Sequence, residues 1–136
     1  MVSLVLVAHS QPLLSALAEL VAATNAGAPH CYTAGGTDDG RMGTSLARVR
    51  SALRAGLEAS DDDGSLVLYD TGSAWLTIGF AIDELSGDER SRVVLSDAPL
   101  VEGSLAAAAR AGDHASLFEV ATAAASALAS DKRPGV

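Results

Sequence analysis

Lysine is almost missing from this chain. Lys132 is the only one, and nine Lys and Arg together face 17 Asp and Glu, for a formal net charge of −8. A nucleic-acid partner needs clustered cations along its phosphates, so this balance argues against one. Cysteine is equally scarce: Cys31 stands alone, which leaves neither a disulfide framework within the chain nor a Cys-based zinc site. No bound metal and no cofactor are expected. Aromatic residues make up only 4%, so the core has to be built from Leu, Val, Ile and Ala. Alanine-rich helices serve well for that, since alanine is the best helix former and gives up no side-chain entropy. The apolar start at Val2–Val7 is too short for a signal-peptide core and lacks a basic flank, and no apolar run approaches membrane-spanning length. The expectation is a soluble chain in a reducing, cytoplasmic setting with no membrane insertion.

Several sequence signatures are absent as well. There is no GxxxxGK[ST] loop for nucleotide phosphates, no GxGxxG after a strand and no GxSxG elbow. A response-regulator receiver domain is also excluded. It needs acids after its first strand and a lysine late in the sheet, whereas here the first strand ends in Ala8-His9-Ser10.

What is present is alternation. "VSLVLVA" at residues 2–8 reads as a strand buried on both faces, and the helical period begins at Ser10, with Leu13, Leu14, Leu17, Leu20 and Val21 on one side. Ser10 suits an N-cap and Pro12 the first turn; Asn25 and Gly27 end the helix. "PHCYTAGG" is a weaker strand followed by the polar loop "GGTDDGRMG", with Thr44 expected to cap the next helix. "SLVLYDTGSAW" repeats the opening design, and "SRVVLSDAPL" repeats it more briefly. From Leu100 to Ala129 the chain reads as helix broken near Gly112 and Asp113. Strands that are apolar on both faces and alternate with helices predict a parallel sheet covered on two sides. The expected fold is α/β, a three-layer sandwich around a central, mostly parallel sheet, with a single domain over residues 1–130 and a tail over 131–136.

In such sheets sites form beyond the carboxyl ends of the strands, where the strand order reverses. His9 follows the first strand and Asp70 the third. If those strands are neighbours, the carboxylate accepts from one ring N–H and leaves the other ring nitrogen a lone pair facing outward. Backbone N–H groups at the helix starts near Ser10, and near Gly72 and Ser73, favour an anion, phosphate above all. A lone histidine after a strand is also a common structural residue, and Asp70 is a reasonable helix cap; the two readings weigh about equally on position alone. His30 and His114 have no such partner, and the acidic turn Asp61–Asp63 reads as solvated.

Taken together, "LVLVAHSQPL", "AGGTDDGRMGTS", "LVLYDTGSA" and "APLVEGSLAAA" resemble the phosphotransferase subunits of bacterial dihydroxyacetone kinases, which are similar to the mannose-family EIIA domains of the sugar phosphotransferase system (PTS). The four segments occur in the right order over nearly the whole chain. The resemblance implies a phosphocarrier: a phosphoryl group derived from phosphoenolpyruvate passes through enzyme I and HPr to a histidine. From there it goes to ADP on the kinase's nucleotide-binding subunit, which works with a substrate-binding subunit on dihydroxyacetone. Carried over by position, His9 is the phosphorylated nucleophile and Asp70 orients it. Ser10, Gly43, Thr44, Gly72 and Ser73 surround the phosphoryl oxygens, no metal is required, and the domain is a homodimer. The alternatives are a mannose-type EIIA component donating to a IIB protein, and a regulatory module whose His9 never turns over.

Overall fold

A computed structural model describes residues 1–134. Val2 through Ala8 are all buried, and β1 (Ser3–Ala8) carries them through the centre of the molecule. The chain then continues as α1 (Gln11–Thr24), β2 (Cys31–Gly35), α2 (Leu46–Ser60), β3 (Ser65–Tyr69), α3 (Gly72–Asp83), α4 (Gly87–Arg90), β4 (Val93–Ser96), α5 (Leu100–Gly112) and α6 (Leu117–Ser126), closing on a 3-10 turn at Ala127–Ala129. The four strands lie in the order β2-β1-β3-β4, and every pairing is parallel.

The period of a strand sends alternate residues to opposite faces, and both faces are covered here. Leu4, Leu6 and Ala8 of β1 join Leu66 and Leu68 of β3 under α1, α5 and α6. Val5, Val7 and Val67 point the other way, under α2 and α3 with Leu53 and Ile78. The result is the expected α/β three-layer sandwich, with a sheet that is parallel throughout.

Two local features differ from the sequence reading. Thr44 does not cap α2. Ser45 does, its hydroxyl accepting from the Arg48 N–H at 3.2 Å, while the Thr44 hydroxyl pairs with that of Thr77 at 2.8 Å and ties the loop to α3. The short helix α4 was not expected. It is set up by a reciprocal capping box in which the Ser86 hydroxyl accepts from the Glu89 N–H and the Glu89 carboxylate accepts from the Ser86 N–H, a pattern carried by the S-x-x-E spacing. Of the tail, residues 131–134 are described and exposed; Gly135 and Val136 lie outside the described residues. Among the described residues no helix is long and apolar enough to cross a membrane, and no group of three or more His, Cys, Asp or Glu is placed to hold a metal ion.

Candidate functional site

The connections out of β1 set the site. From β1 the chain goes to β2 on one side, then crosses back so that β3 pairs with β1 on the other. The order of the strands therefore reverses between β1 and β3, and a crevice opens beyond their carboxyl ends. The register places Val7 opposite Tyr69, so the residues just past the two strands, His9 and Asp70, emerge side by side. The Asp70 N–H donates to the Val7 carbonyl at 3.2 Å, prolonging the ladder by one step.

His9 and Asp70 are joined twice. The backbone N–H of His9 donates to Asp70 Oδ2 at 3.0 Å, and the ring Nδ1 lies 3.0 Å from both Oδ1 and Oδ2. Oδ1 also accepts from the Thr71 N–H at 2.7 Å. Burial by itself would raise the Asp70 carboxyl; the donors from the His9 backbone, the His9 ring and Thr71 together outweigh it and hold the carboxyl below its ordinary value. Asp70 is then an acceptor only, so Nδ1 carries a proton, and in the neutral ring Nε2 keeps its lone pair. Nε2 faces outward and takes a hydrogen bond from the Ser73 hydroxyl at 2.5 Å. The pair is partly buried, the side chains of His9 and Asp70 being 24% and 18% exposed, so the ring is fixed yet reachable.

Ser73 belongs to the first turn of α3. The N-cap residue Thr71 makes no side-chain cap bond to that helix; its hydroxyl lies instead 3.5 Å from His9 Nδ1. Helix starts carry N–H groups without intrahelical partners, and here the N–H groups of Gly72 and Ser73 open α3 next to the free ring nitrogen. This end of the helix is suited to negatively charged oxygens.

The other residues expected around phosphoryl oxygens take different positions. Ser10 caps α1, accepting from the Leu13 N–H at 3.4 Å. Gly43 uses its N–H on the His9 carbonyl at 3.0 Å, and Thr44 is paired with Thr77. Both hold the β2–α2 loop against the site. Gly35 and Gly36 bring that loop in close. A Cβ on Gly35 would stand 2.6 Å from the Gln11 Cα, and Gly36 has a left-handed φ of 74°. Two contributors escaped the sequence reading. Thr71 leads from Asp70 into the helix, and nothing in the sequence marks its hydroxyl as a neighbour of the His9 ring. Gln11 accepts from the Gly35 N–H at 2.9 Å and donates to the Thr33 hydroxyl at 3.1 Å, a cross-link that a helix-start glutamine does not announce. His30 stacks edge-on against Tyr32 and His114 sits past the end of α5 in a left-handed conformation; neither is part of the site.

The family model EIIA-man, described as "PTS system fructose IIA component", matches residues 3–122, and the chain belongs to that family. The match is sharper among relatives. The chain is 32% identical over 108 residues to the phosphoryl donor subunit DhaM of the PEP-dependent dihydroxyacetone kinase 2 of Listeria innocua, covering 79% of this chain and 84% of that protein. It is 37% identical over 131 residues to the DhaM subunit of Providencia stuartii, covering 94% of this chain but only 27% of that longer protein. Within the EIIA-man class it is therefore a DhaM-type domain. Its fold is similar to the crystal structure of a protein of unknown function, EF1359, with a TM-score of 0.78 and 27% identity over the whole of both chains.

Proposed function

We propose that this chain is a phosphohistidine carrier of a PEP-dependent dihydroxyacetone kinase. In this reading His9 accepts a phosphoryl group from the phosphorylated histidine of HPr and passes it to ADP on the kinase's nucleotide-binding subunit. One observation carries the reading: the Nδ1 proton is held by Asp70 while the Nε2 lone pair faces the side-chain-uncapped start of α3.

The chemistry follows from that arrangement. The Nε2 lone pair attacks phosphorus in line, a P–N bond forms to His9, and the P–N bond to the donor ring breaks with its electron pair returning to the donor. No proton has to leave Nδ1. The His9 ring gains positive charge as the new bond forms, and the adjacent Asp70 carboxylate offsets it. The Ser73 hydroxyl turns from the consumed lone pair to a phosphoryl oxygen, and the N–H groups of Gly72 and Ser73 take others. Positioning and electrostatic stabilisation supply the catalysis. In the second half an oxygen of the ADP β-phosphate attacks, the P–Nε2 bond breaks and the pair returns to His9. Trp75, Leu76 and Phe80, exposed on α3, the helix that carries Ser73, provide an apolar surface on which a donor protein docks.

The description of the matching family model as a fructose IIA component favours a second reading, in which the same phospho-His9 donates to a IIB protein of a sugar transporter. Incubation with phosphoenolpyruvate, enzyme I and HPr is expected to give an acid-labile, base-stable adduct that disappears in His9→Ala. The phosphorylated protein is then offered the kinase nucleotide-binding subunit with ADP, or a IIB protein. Transfer to IIB alone overturns the kinase assignment, and absence of any adduct leaves a regulatory module.

A further inference from the structure

The loop joining β2 to α2 delivers a cation to the mouth of the site. A cleft of about 470 Å³ is bounded by His9, Ser10 and Gln11 on one side and by Gly40, Arg41 and Met42 on the other. Arg41 is the one Lys or Arg in that lining. Its backbone is fixed: its N–H donates to the Thr37 hydroxyl at 3.1 Å, and its carbonyl accepts from the Thr37 N–H at 2.9 Å. Two residues further on, the Gly43 N–H is bonded to the carbonyl of His9, and chain length alone holds the Arg41 Cα within about 7.6 Å of that of Gly43. The side chain, by contrast, is 81% exposed and meets only an exposed carboxylate, Asp39, at 2.9 Å.

We propose that Arg41 is a phosphoryl-binding residue, which leaves Asp39 for the phosphoryl oxygens once His9 is loaded. This rests on His9 being the phosphoryl acceptor. Three observations favour the exchange. An exposed ion pair is weak and readily re-formed elsewhere. Asp39 is not stranded by it, since the carboxylate also accepts from the Thr37 hydroxyl at 2.5 Å. That hydroxyl is the main reason the Asp39 carboxyl stays below its ordinary value, with Arg41 a smaller one. Finally, the incoming dianion lands beside the Asp70 carboxylate that holds His9, and the loop that supplies Arg41 also carries Asp39 and Asp38, the last engaged with the Ser45 hydroxyl at 2.5 Å. The donors at the start of α3 are neutral N–H and O–H groups, so only a guanidinium in the lining offsets that charge, and its planar fork suits phosphoryl oxygens. No bond to phosphorus is made or broken by Arg41; one ion pair replaces another.

The test loads His9 in the intact chain from two donors, phospho-HPr and the small-molecule reagent phosphoramidate, and follows the adduct by phosphorus NMR across pH. A cation in contact favours the dianion, so Arg41→Gln is expected to raise the second phosphoryl pKa by about half a unit to one unit, with Arg41→Lys restoring part of the shift. The Arg41 Nε–H resonance is expected to move on phosphorylation of the native chain. An unchanged phosphoryl titration in Arg41→Gln, or an Arg41 resonance indifferent to loading, overturns the proposal. Loading by phosphoramidate where HPr fails removes the carrier reading while the Arg41 comparison still decides this one. No His9 adduct from either donor overturns both.

Discussion

Asp70 bears on both reactivity and stability, and the two separate by experiment. In Asp70→Asn the amide NH2 group confronts the His9 backbone N–H or ring N–H, and no negative charge remains to offset the ring as it is phosphorylated. The rate of phosphorylation from HPr is expected to fall by about 10- to 100-fold with the fold retained, by analogy with the loss of the carboxylate partner of a metal-bound imidazole; radiolabel transfer measures it. The pH dependence has a definite sign. A carboxyl held below its ordinary value of 3.8 stabilises the folded state in full above that value and loses the contribution as pH falls through its lower folded value. The stability difference between the native chain and Asp70→Asn, read from urea unfolding, is therefore expected to be present at neutral pH and to shrink below 3.8. A second substitution isolates a backbone donor. A Cβ on Gly72 meets nothing within 4 Å, so Gly72→Ala is expected to leave phosphorylation intact. Gly72→Pro fits the first helical position, and Thr71 before it is already extended at φ −141° and ψ 171°. The proline removes only the N–H, and transfer is expected to slow by roughly 10- to 100-fold, the worth of a hydrogen bond to a charged group.

At the scale of elements, the site depends on how closely α1 approaches the end of β2. A methyl group on Gly35 would stand 2.6 Å from the Gln11 Cα, 2.7 Å from its N and 2.8 Å from the Ser10 carbonyl carbon. All three are backbone atoms, so nothing flexible gives way. Gly35→Ala is expected to cost about 1–3 kcal/mol in urea unfolding, the usual penalty for overpacking, and to slow His9 phosphorylation because the displaced segment follows His9 directly. Much of this scale was legible beforehand. The change from a continuous apolar run to period 3.6 at Ser10, and again after Asp70, marked the strand ends and helix starts, because a strand buried on both faces and a one-sided helix leave different apolar patterns. Thr44 misled, because it and Ser45 are adjacent hydroxyl residues with equal claim to the cap, and the Thr77 hydroxyl that occupies Thr44 lies 33 residues away. The S-x-x-E spacing of Ser86 and Glu89 is present in the sequence, but the helix it starts has only four residues and no buried face, so no apolar period accompanies it.

For the whole molecule the exposed face of α3 is the feature to test. Trp75, Leu76 and Phe80 are 50%, 56% and 63% exposed, on the helix that supplies Ser73 to the ring. If the donor protein docks there, Trp75→Ala slows transfer from HPr by about tenfold, as expected for an aromatic anchor at an interface, and leaves labelling by phosphoramidate unchanged. Equal loss with both donors would assign Trp75 to the fold instead.

The sequence by itself determined that the chain forms a parallel sheet covered on two faces, and that an imidazole and a carboxylate each stand at a strand end, because burial periodicity and abrupt polar stops are local properties of the chain. Only the tertiary structure decided that β1 and β3 are neighbours in a register that sets His9 against Asp70, which ring nitrogen is left free, and that Ser73, rather than Ser10 or Thr44, meets it. Strand order and cross-loop hydrogen bonds arise from contacts between residues some sixty positions apart, and no periodicity within either segment encodes them.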